Sequence, residues 1–231
     1  MEIGGLQKLT IIDYPGRLAC TVFLIGCDFR CPWCYSSELV LPEKIKKQPR
    51  VSEKELFDFL KERKGLLEGV ALCGGEPTIN KKLPELIKKI RKLGYSVKLD
   101  TNGSNPKMLK KLIDDKLVDY VAMDIKAPKE KYQKIFGKRV KIEDIEKSVK
   151  ILKEGKVDYE FRTTVTPTIL KKEDILEIAK WIKGAKKYYL QNFRPEKTID
   201  PKFEKIKPYP QEYLLEIQKA ISPFFEACQV R

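Results

Sequence analysis

Six short runs of apolar residues, rich in β-branched side chains, alternate along the chain with longer amphipathic stretches in which Lys and Glu are interleaved. The short runs predict strands and the amphipathic stretches predict helices. We place the strands at residues 19–25, 69–72, 96–100, 120–123, 158–163 and 187–191. Strands that alternate with helices form a parallel sheet with right-handed crossovers, so this pattern predicts an α/β fold.

The predicted helices begin and end at recognisable signals. Ser52 and Glu55 form a capping-box pattern before the first helix, and Asn105 with Pro106 suits the start of the third. The other helices are placed at about 83–93, 142–154, from 173 onward, and 211–221. A complete eight-unit barrel takes about 250 residues. With 231 residues and six units, we expect a partial (β/α)6 TIM-like barrel of parallel strands, open on one side.

The whole chain, 1–231, is expected to form one domain, with an N-terminal segment at 1–18 and a long loop at 35–50. No apolar run is long enough to cross a membrane, and the N-terminus lacks a signal-peptide pattern. We therefore expect a cytoplasmic protein without a membrane partner. The net charge of +14 is compatible with a nucleic-acid partner, but the mixing of Lys with Glu favours a solvated surface.

The chain contains six Cys and no His, so Ser-His-Asp catalysis and His-containing zinc sites are excluded. Cys27, Cys31 and Cys34 lie within eight residues of one another. A [4Fe–4S] cluster takes four thiolates, and three neighbouring ones leave one iron open for chemistry. The alternative is a cluster or zinc ion completed by Cys20 or Cys73, which would serve electron transfer or stability alone.

Each predicted strand leads into an unusual polar or glycine-rich stretch. In strand order, these stretches are GCDFRCPWC, CGGEPT, DTNG, DIKAP, RTTVTP and QNFRP. The carboxyl ends of parallel strands gather at one rim of the sheet, where α/β proteins place their active sites. The six stretches therefore predict one site.

The cysteine spacing, with Trp33 before the third Cys, resembles the radical S-adenosylmethionine (SAM) superfamily. DYPG at 13–16, GGEPT at 74–78, DTNG at 100–103 and DIK at 124–126 extend the likeness over most of the chain. Together they resemble the glycyl-radical-enzyme activating enzymes, chiefly those of anaerobic ribonucleoside-triphosphate reductase and pyruvate formate-lyase. The resemblance implies a [4Fe–4S] cluster on Cys27, Cys31 and Cys34, and SAM bound at its open iron.

The resemblance also implies roles for the strand-end motifs. The GGEP motif would bind the methionine amino group, and the DTNG residues the ribose or the carboxylate. An Asx-type turn at DTNG and a buried ion pair at DIK are the structural alternatives. Trp33 is expected near the adenine or packed against the cluster. The implied cofactor-binding positions are Trp33, Cys34, Tyr35, Gly74, Gly75, Glu76, Asp100, Thr101, Asn102, Asp124, Ile125, Lys126, Arg162 and Arg194.

Two positions depart from the family pattern. Relatives often carry His after the third Cys, where this chain has Tyr35, and Arg194 falls loosely where activating enzymes place a His near the ribose. Cys73, just before the GGEP motif, is expected to be a small buried apolar residue.

Three functions are compatible with these residues. The first is an activating enzyme that takes a hydrogen atom from a glycine of a glycyl radical enzyme, with flavodoxin or ferredoxin as the electron donor. The second is a radical enzyme that modifies a small molecule or nucleic acid, of the deazapurine or RNA-modification type. The third is a non-catalytic iron–sulfur module.

Overall fold

The computed structural model describes residues 1–137 and 140–231. Within them a single sheet of eight strands runs in sequence order, and its first and last strands do not pair with each other. The strands are β1 (Ile3–Thr10), β2 (Ala19–Leu24), β3 (Gly69–Gly74), β4 (Ser96–Thr101), β5 (Tyr120–Asp124), β6 (Asp158–Val165), β7 (Lys187–Asn192) and β8 (Ala227–Val230). The α/β fold with an open, mostly parallel sheet is confirmed.

Strands β2 to β8 are parallel, and β1 pairs antiparallel with β2. The prediction of six strands was too low, because β1 and β8 were not predicted. β1 contains Gly4 and Gly5, which lower strand propensity. β8 has only four residues, so it carries too little periodicity to be recognised.

The helices in the described residues are α1 (Ser37–Val40), α2 (Pro42–Ile45), α3 (Glu53–Glu62), α4 (Leu83–Lys92), α5 (Pro106–Asp114), α6 (Lys129–Phe136), α7 (Ile142–Lys153), α8 (Lys172–Trp181) and α9 (Gln211–Ile221). The six predicted helices correspond to α3, α4, α5, α7, α8 and α9. The predicted capping box is present, since Ser52 and Glu55 each accept a backbone N–H bond from the other. The segment expected as a long loop at 35–50 contains α1 and α2, and α6 was also missed.

The two faces of the parallel strands differ in chemistry. Side chains alternate between the faces of a strand, and those that face the helices are apolar and buried. They include Val22, Leu72, Leu99, Val121, Phe161 and Leu190. The other face carries the buried polar residues Thr21, Lys98 and Glu160. The inner side of the curved sheet is therefore polar, which is the setting that a charged ligand requires. Among the described residues, no helix has the length and hydropathy to cross a membrane.

Candidate active site

The three clustered cysteines lie in the loop that follows β2. The loop turns tightly, because the N–H of Cys34 donates to the carbonyl of Cys31 at 3.0 Å. The Sγ of Cys27 accepts from the N–H of Phe29 at 3.4 Å. Cys31 is buried, whereas Cys27 and Cys34 are partly exposed. The loop thus keeps all three thiols close to the carboxyl end of the parallel strands.

Aromatic side chains and a distant segment hold this loop in place. Trp33 is buried, and its ring lies 5.8 Å from that of Phe136 on α6, centroid to centroid. On the other side, the backbone N–H of Ile199 donates to the carbonyl of Cys34, and that of Asp200 to Pro32, both at 3.0 Å. The packing alternative for the Trp33 side chain is therefore observed, and its contact with adenine stays a prediction.

The two glycines of the GGEP motif allow β3 to lie directly against the beginning of the cysteine loop. A Cβ on Gly75 would lie 2.0 Å from the carbonyl oxygen of Gly26, and one on Gly74 would lie 2.3 Å from that of Leu24. Gly74 also has a φ of +114°, which residues with a side chain rarely adopt. These glycines are needed for packing against the loop, whether or not their backbone also contacts a ligand.

Glu76 is the centre of a buried hydrogen-bond network that joins two motifs. It is 1% exposed and accepts four hydrogen bonds. Oε1 accepts from the N–H and hydroxyl of Thr78 and from the hydroxyl of Thr101, and Oε2 accepts from the N–H of Asn102 at 2.6 Å. Burial raises the pKa of Glu76 to about 7, and the hydrogen bonds from Thr78, Asn102 and Thr101 oppose that rise. Glu76 thus fixes the DTNG segment relative to the GGEP segment.

The DTNG segment forms the Asx-type turn that was the structural alternative to a role in cofactor binding. The N–H of Ser104 donates to the Oδ1 of Asn102 at 2.8 Å. The Nδ2 of Asn102 donates to Asp28 at 2.9 Å and lies 4.0 Å from the Sγ of Cys27. Asn102 therefore joins this turn to the cysteine loop.

Five charged side chains of alternating sign cross the inner face of three neighbouring strands. Lys98 pairs with Asp100, whose Oδ2 also accepts from Arg162 at 3.0 Å. Arg162 continues to Asp124 at 2.9 Å, and Lys126 pairs with Asp124 at 3.3 Å. The ion pair proposed as the structural alternative at DIK is thus observed. Three cations against two anions leave the row with one surplus positive charge, which suits a carboxylate ligand.

This row sets the charge state of its members. Burial by itself would raise the pKa of Asp100 and Asp124, but Arg162 and the neighbouring Lys residues outweigh it and lower both pKa values. Burial would likewise lower the pKa of Lys126, but Asp124 and the three loop cysteines raise it. Asp100, Asp124, Arg162 and Lys126 are therefore charged at neutral pH, and the Lys126 ammonium lies within electrostatic reach of all three thiols.

Tyr35, Arg194 and Ile125 were also predicted to bind the cofactor, and they lie in different surroundings. Burial and the proximity of Cys73 and Asp124 raise the pKa of Tyr35, while Arg194 acts in the opposite sense. Tyr35 and Arg194 thus lie on the side of the loop that faces the charged row, although both are exposed. Ile125 differs, since its side chain is fully buried and its backbone bonds to β6.

Cys20 on β2 and Cys73 on β3 lie apart from the loop thiols in different ways. Cys20 is buried in the apolar core near the start of β2, at the opposite end of that strand from the loop. It is therefore unsuited to complete the ligand set. Cys73 is partly exposed and faces Asp100, Arg162 and Lys98, so the expectation of a buried residue in apolar surroundings was wrong. Desolvation raises its pKa to about 12.

The comparisons with known proteins agree with this geometry. The profile of the radical SAM superfamily matches residues 21–188. The chain belongs to the radical SAM superfamily. A Methanocaldococcus jannaschii protein named "Putative glycyl-radical enzyme activating enzyme" is 33% identical over 238 residues, which cover 99% of this chain and 95% of that protein. The resemblance to activating enzymes is thus confirmed at the level of sequence similarity.

Two further similarities bear on function and fold. The 7-carboxy-7-deazaguanine synthase of Thermococcus kodakarensis is 26% identical over 197 residues, which cover 78% of this chain and 76% of that enzyme. A solved structure of TYW1 with a lysine-pyruvate adduct has a TM-score of 0.61 at 19% identity, covering 89% of this chain and 73% of that one. The TYW1 likeness concerns the fold alone.

Radical SAM enzymes use a [4Fe–4S] cluster and SAM, and these are the cofactors of this chain. The donor set fits the cluster, because three thiols share one short loop near the partly buried ammonium of Lys126. No group of three or more Cys, Asp or Glu side chains in the described residues converges on a single metal ion. A cluster differs in this respect, because each thiolate binds a different iron. Burial raises the pKa of Cys31 to about 12, so iron binding must displace a thiol proton.

The sequence did not reveal every residue of the site. Lys98 is 2% exposed and pairs with Asp100 on the inner face, and it was missed. Its position two residues before Asp100 on a strand, which places both on one face, was the available signal. Asp28 and the contacts of Ile199 and Asp200 with the loop were also missed, and no local pattern marks them.

Replacing Glu76 by Gln should lower the free energy of unfolding by about 1–3 kcal/mol. For a chain of this size, each kcal/mol lowers Tm by ~2–4 °C. Both carboxylate oxygens accept a backbone N–H, so the amide group of Gln faces a donor in either orientation. Thermal unfolding of the cluster-free protein measures the effect. The matched control is Glu85→Gln on α4, where the side chain is exposed. Equal Tm values for the two variants would refute the role of Glu76 in joining the motifs.

Proposed function

We propose that this chain is a glycyl-radical-enzyme activating enzyme, which takes a hydrogen atom from a glycine Cα of a partner protein. The observation that carries the proposal is the 33% identical relative of that name, whose similarity spans nearly the full length of both chains. A reductase of the anaerobic ribonucleotide type or a pyruvate formate-lyase-like enzyme is the expected partner. The open sheet supports the proposal, since β1 and β8 leave a side through which a loop of a large protein can enter.

In this proposal Cys27, Cys31 and Cys34 hold the cluster. When bound there, the cluster would supply the one electron for the reductive cleavage of SAM on which the hydrogen abstraction depends. The residues of the chain bind and orient. Asp100, Arg162 and Lys126 offer fixed charges to the amino and carboxylate groups of methionine, and their positions are preset by ion pairs.

The polypeptide also controls access to the reacting atoms. Glu76 holds Asn102 against the cysteine loop, so that the cofactor groups meet a rigid rim rather than a mobile turn. Tyr35, 58% exposed, stands at the edge of the inner face, where a substrate loop would pass.

The second candidate is a radical enzyme for a small molecule of the deazapurine type. The observation in its favour is the similarity to 7-carboxy-7-deazaguanine synthase over 78% of this chain. That similarity is lower in identity and leaves more of both chains unmatched than the similarity to the activating enzyme.

The test is anaerobic incubation of the cluster-loaded protein with SAM, dithionite and the glycyl radical enzyme encoded beside it. We expect a glycyl radical doublet in the electron paramagnetic resonance spectrum, and none when the target glycine of the partner is replaced by Ala. Formation of 5′-deoxyadenosine is measured in the same samples. Its formation with no doublet in any candidate partner would overturn the activating function and leave the radical SAM chemistry intact. Its formation only upon addition of a deazapurine precursor would support the second candidate.

A further inference from the structure

A cleft of ≈ 540 Å³ lies between α5 and α7, on the outer side of the sheet and outside the cofactor site. Its floor includes Pro106 and Ile151. Lys107 and Lys110 line it from α5, and Lys147 and Lys150 from α7, with Asp144 and Glu154 as the acidic groups. The four lysines outnumber the two acidic residues, so the cleft has a net charge of +2. We refer to these lining residues as the lysine groove.

The lysines of the groove are of two kinds. Lys110 and Lys147 pair with an acid on the same helix, as Lys54 does with Asp58 elsewhere on the surface. In the groove two helices bring exposed lysines together across a cleft. Lys107 and Lys150 have no ion-pair partner among residues 1–137 and 140–231, so their charges are available to another molecule.

One end of the groove connects directly to the cysteine loop. Ser104 lines the groove and donates its N–H to Asn102, whose side chain contacts Asp28 and lies 4.0 Å from the Sγ of Cys27. Two hydrogen bonds thus lead from the groove to Asp28, the neighbour in sequence of a proposed cluster ligand. The hydroxyl of Ser148 on α7 donates to the carbonyl of Gly103 at 2.7 Å, so α7 is fixed to the same turn.

The same end of the groove contains an unsatisfied polar atom. The Oγ of Ser104 is buried and has no hydrogen-bond partner within the described part of the chain. Such atoms are rare in folded proteins, and a buried water is their usual partner. The lysines of the cleft are spread over two helices and are exposed. Such an arrangement suits an acidic protein surface better than a single small anion.

We propose that the lysine groove docks the acidic one-electron carrier, of the flavodoxin or ferredoxin class, that reduces the cluster. The proposal rests on the cluster site of the proposed function but not on the identity of the substrate. The reaction at this surface is the transfer of one electron, in which the donor is oxidised by one unit and the cluster reduced by one. No bond forms or breaks, and the path through Ser104 and Asn102 is short.

The test uses the cluster-loaded protein, a purified acidic flavodoxin and the double variant Lys107→Glu/Lys150→Glu. Binding is measured by titration calorimetry, and cluster reduction by anaerobic stopped-flow absorbance after mixing with reduced flavodoxin, without SAM or substrate. Because charge reversal at an interface converts attraction into repulsion, Kd should rise and the second-order rate should fall at least ~10-fold at low salt. The difference should shrink as the salt concentration rises.

Two controls make the result specific. Lys88→Glu/Lys219→Glu makes the same change in net charge at exposed positions outside the groove and should change Kd less than ~3-fold. Reduction of the groove variant by dithionite should match the wild type, which shows that the cluster site is intact. Equal effects of both double variants, or an unchanged rate in the groove variant, would overturn the proposal. So would an unchanged flavodoxin Kd together with weaker binding of the glycyl radical enzyme, which would assign the groove to the substrate.

Discussion

Replacing Cys31 by Ser should remove bound iron and sulfide and, with them, the cleavage of SAM. Cys31 is the most buried of the three loop thiols, and Ser preserves its size and its place in the backbone turn. Loss of a direct ligand should cost more than the roughly 10- to 100-fold in affinity that removal of a group supporting a ligand costs. Iron and sulfide content, visible charge-transfer absorption and 5′-deoxyadenosine formation measure the loss.

The control is Cys228→Ser, because Cys228 is partly buried on β8 at the edge of the sheet, far along the chain from the loop. This variant should keep the full iron content and the wild-type absorption. Full occupancy in Cys31→Ser would show that the cluster uses a different set of thiols. Cys73, which faces the same side of the sheet, would then be the first to test by substitution.

The strands could be predicted because their apolar, β-branched runs are short and bounded by polar motifs. The topology then placed those motifs at one rim without any knowledge of contacts. β1 was not predicted because Gln7 and Lys8 are both exposed and two glycines interrupt the strand, so its sequence shows no alternation of apolar and polar residues. Its pairing with β2 depends on the tertiary structure, which local patterns do not encode.

The site shows the same limit at the level of single residues. The cysteine spacing alone indicated an incomplete ligand set, and its chemistry is readable from the sequence. The roles of Glu76 and Lys98 are not, because each depends on burial. The spacing of Lys98 and Asp100 on one strand places both on the same face, but it does not show that Lys98 is buried in a chain whose surface is rich in Lys. Likewise, the hydrogen bonds that Glu76 accepts from Thr101 and Asn102 join residues 25 and 26 positions apart in sequence, which no local pattern reveals.

The second large effect is expected at Arg162, the middle member of the charged row. Its guanidinium bridges Asp100 and Asp124 at 3.0 and 2.9 Å, and its side chain is 13% exposed. Replacement by Met keeps much of the apolar stem but leaves two carboxylates without their shared partner. Breaking a buried pair from one side costs about 3–5 kcal/mol, so the free energy of unfolding should fall by that amount near neutral pH.

The loss should depend on pH in a defined direction. Arg162 helps to hold the pKa of Asp100 and Asp124 below the usual pKa of Asp. The stability that it contributes through these carboxylates is therefore fully present when the pH is above the usual Asp pKa, and it is lost as the pH falls through the lowered pKa. In Arg162→Met both pKa values rise, and the carboxylates take up protons at higher pH than in the wild type. The difference in stability between variant and wild type should therefore be largest at about pH 7.5 and smaller at about pH 5.

Urea unfolding of the cluster-free chain at both pH values measures the effect, and Arg91→Met is its matched control. Arg91 pairs with Asp119 at 2.6 Å, but both side chains are about one-third exposed. Solvent screens such a pair, so the control should lose at most about 1 kcal/mol. If Arg162→Met lost no more than the control, the row would not be an electrostatically coupled unit. Its residues would then be free to reorient around the methionine group of SAM, and a preset charge pattern could not explain how that group is oriented.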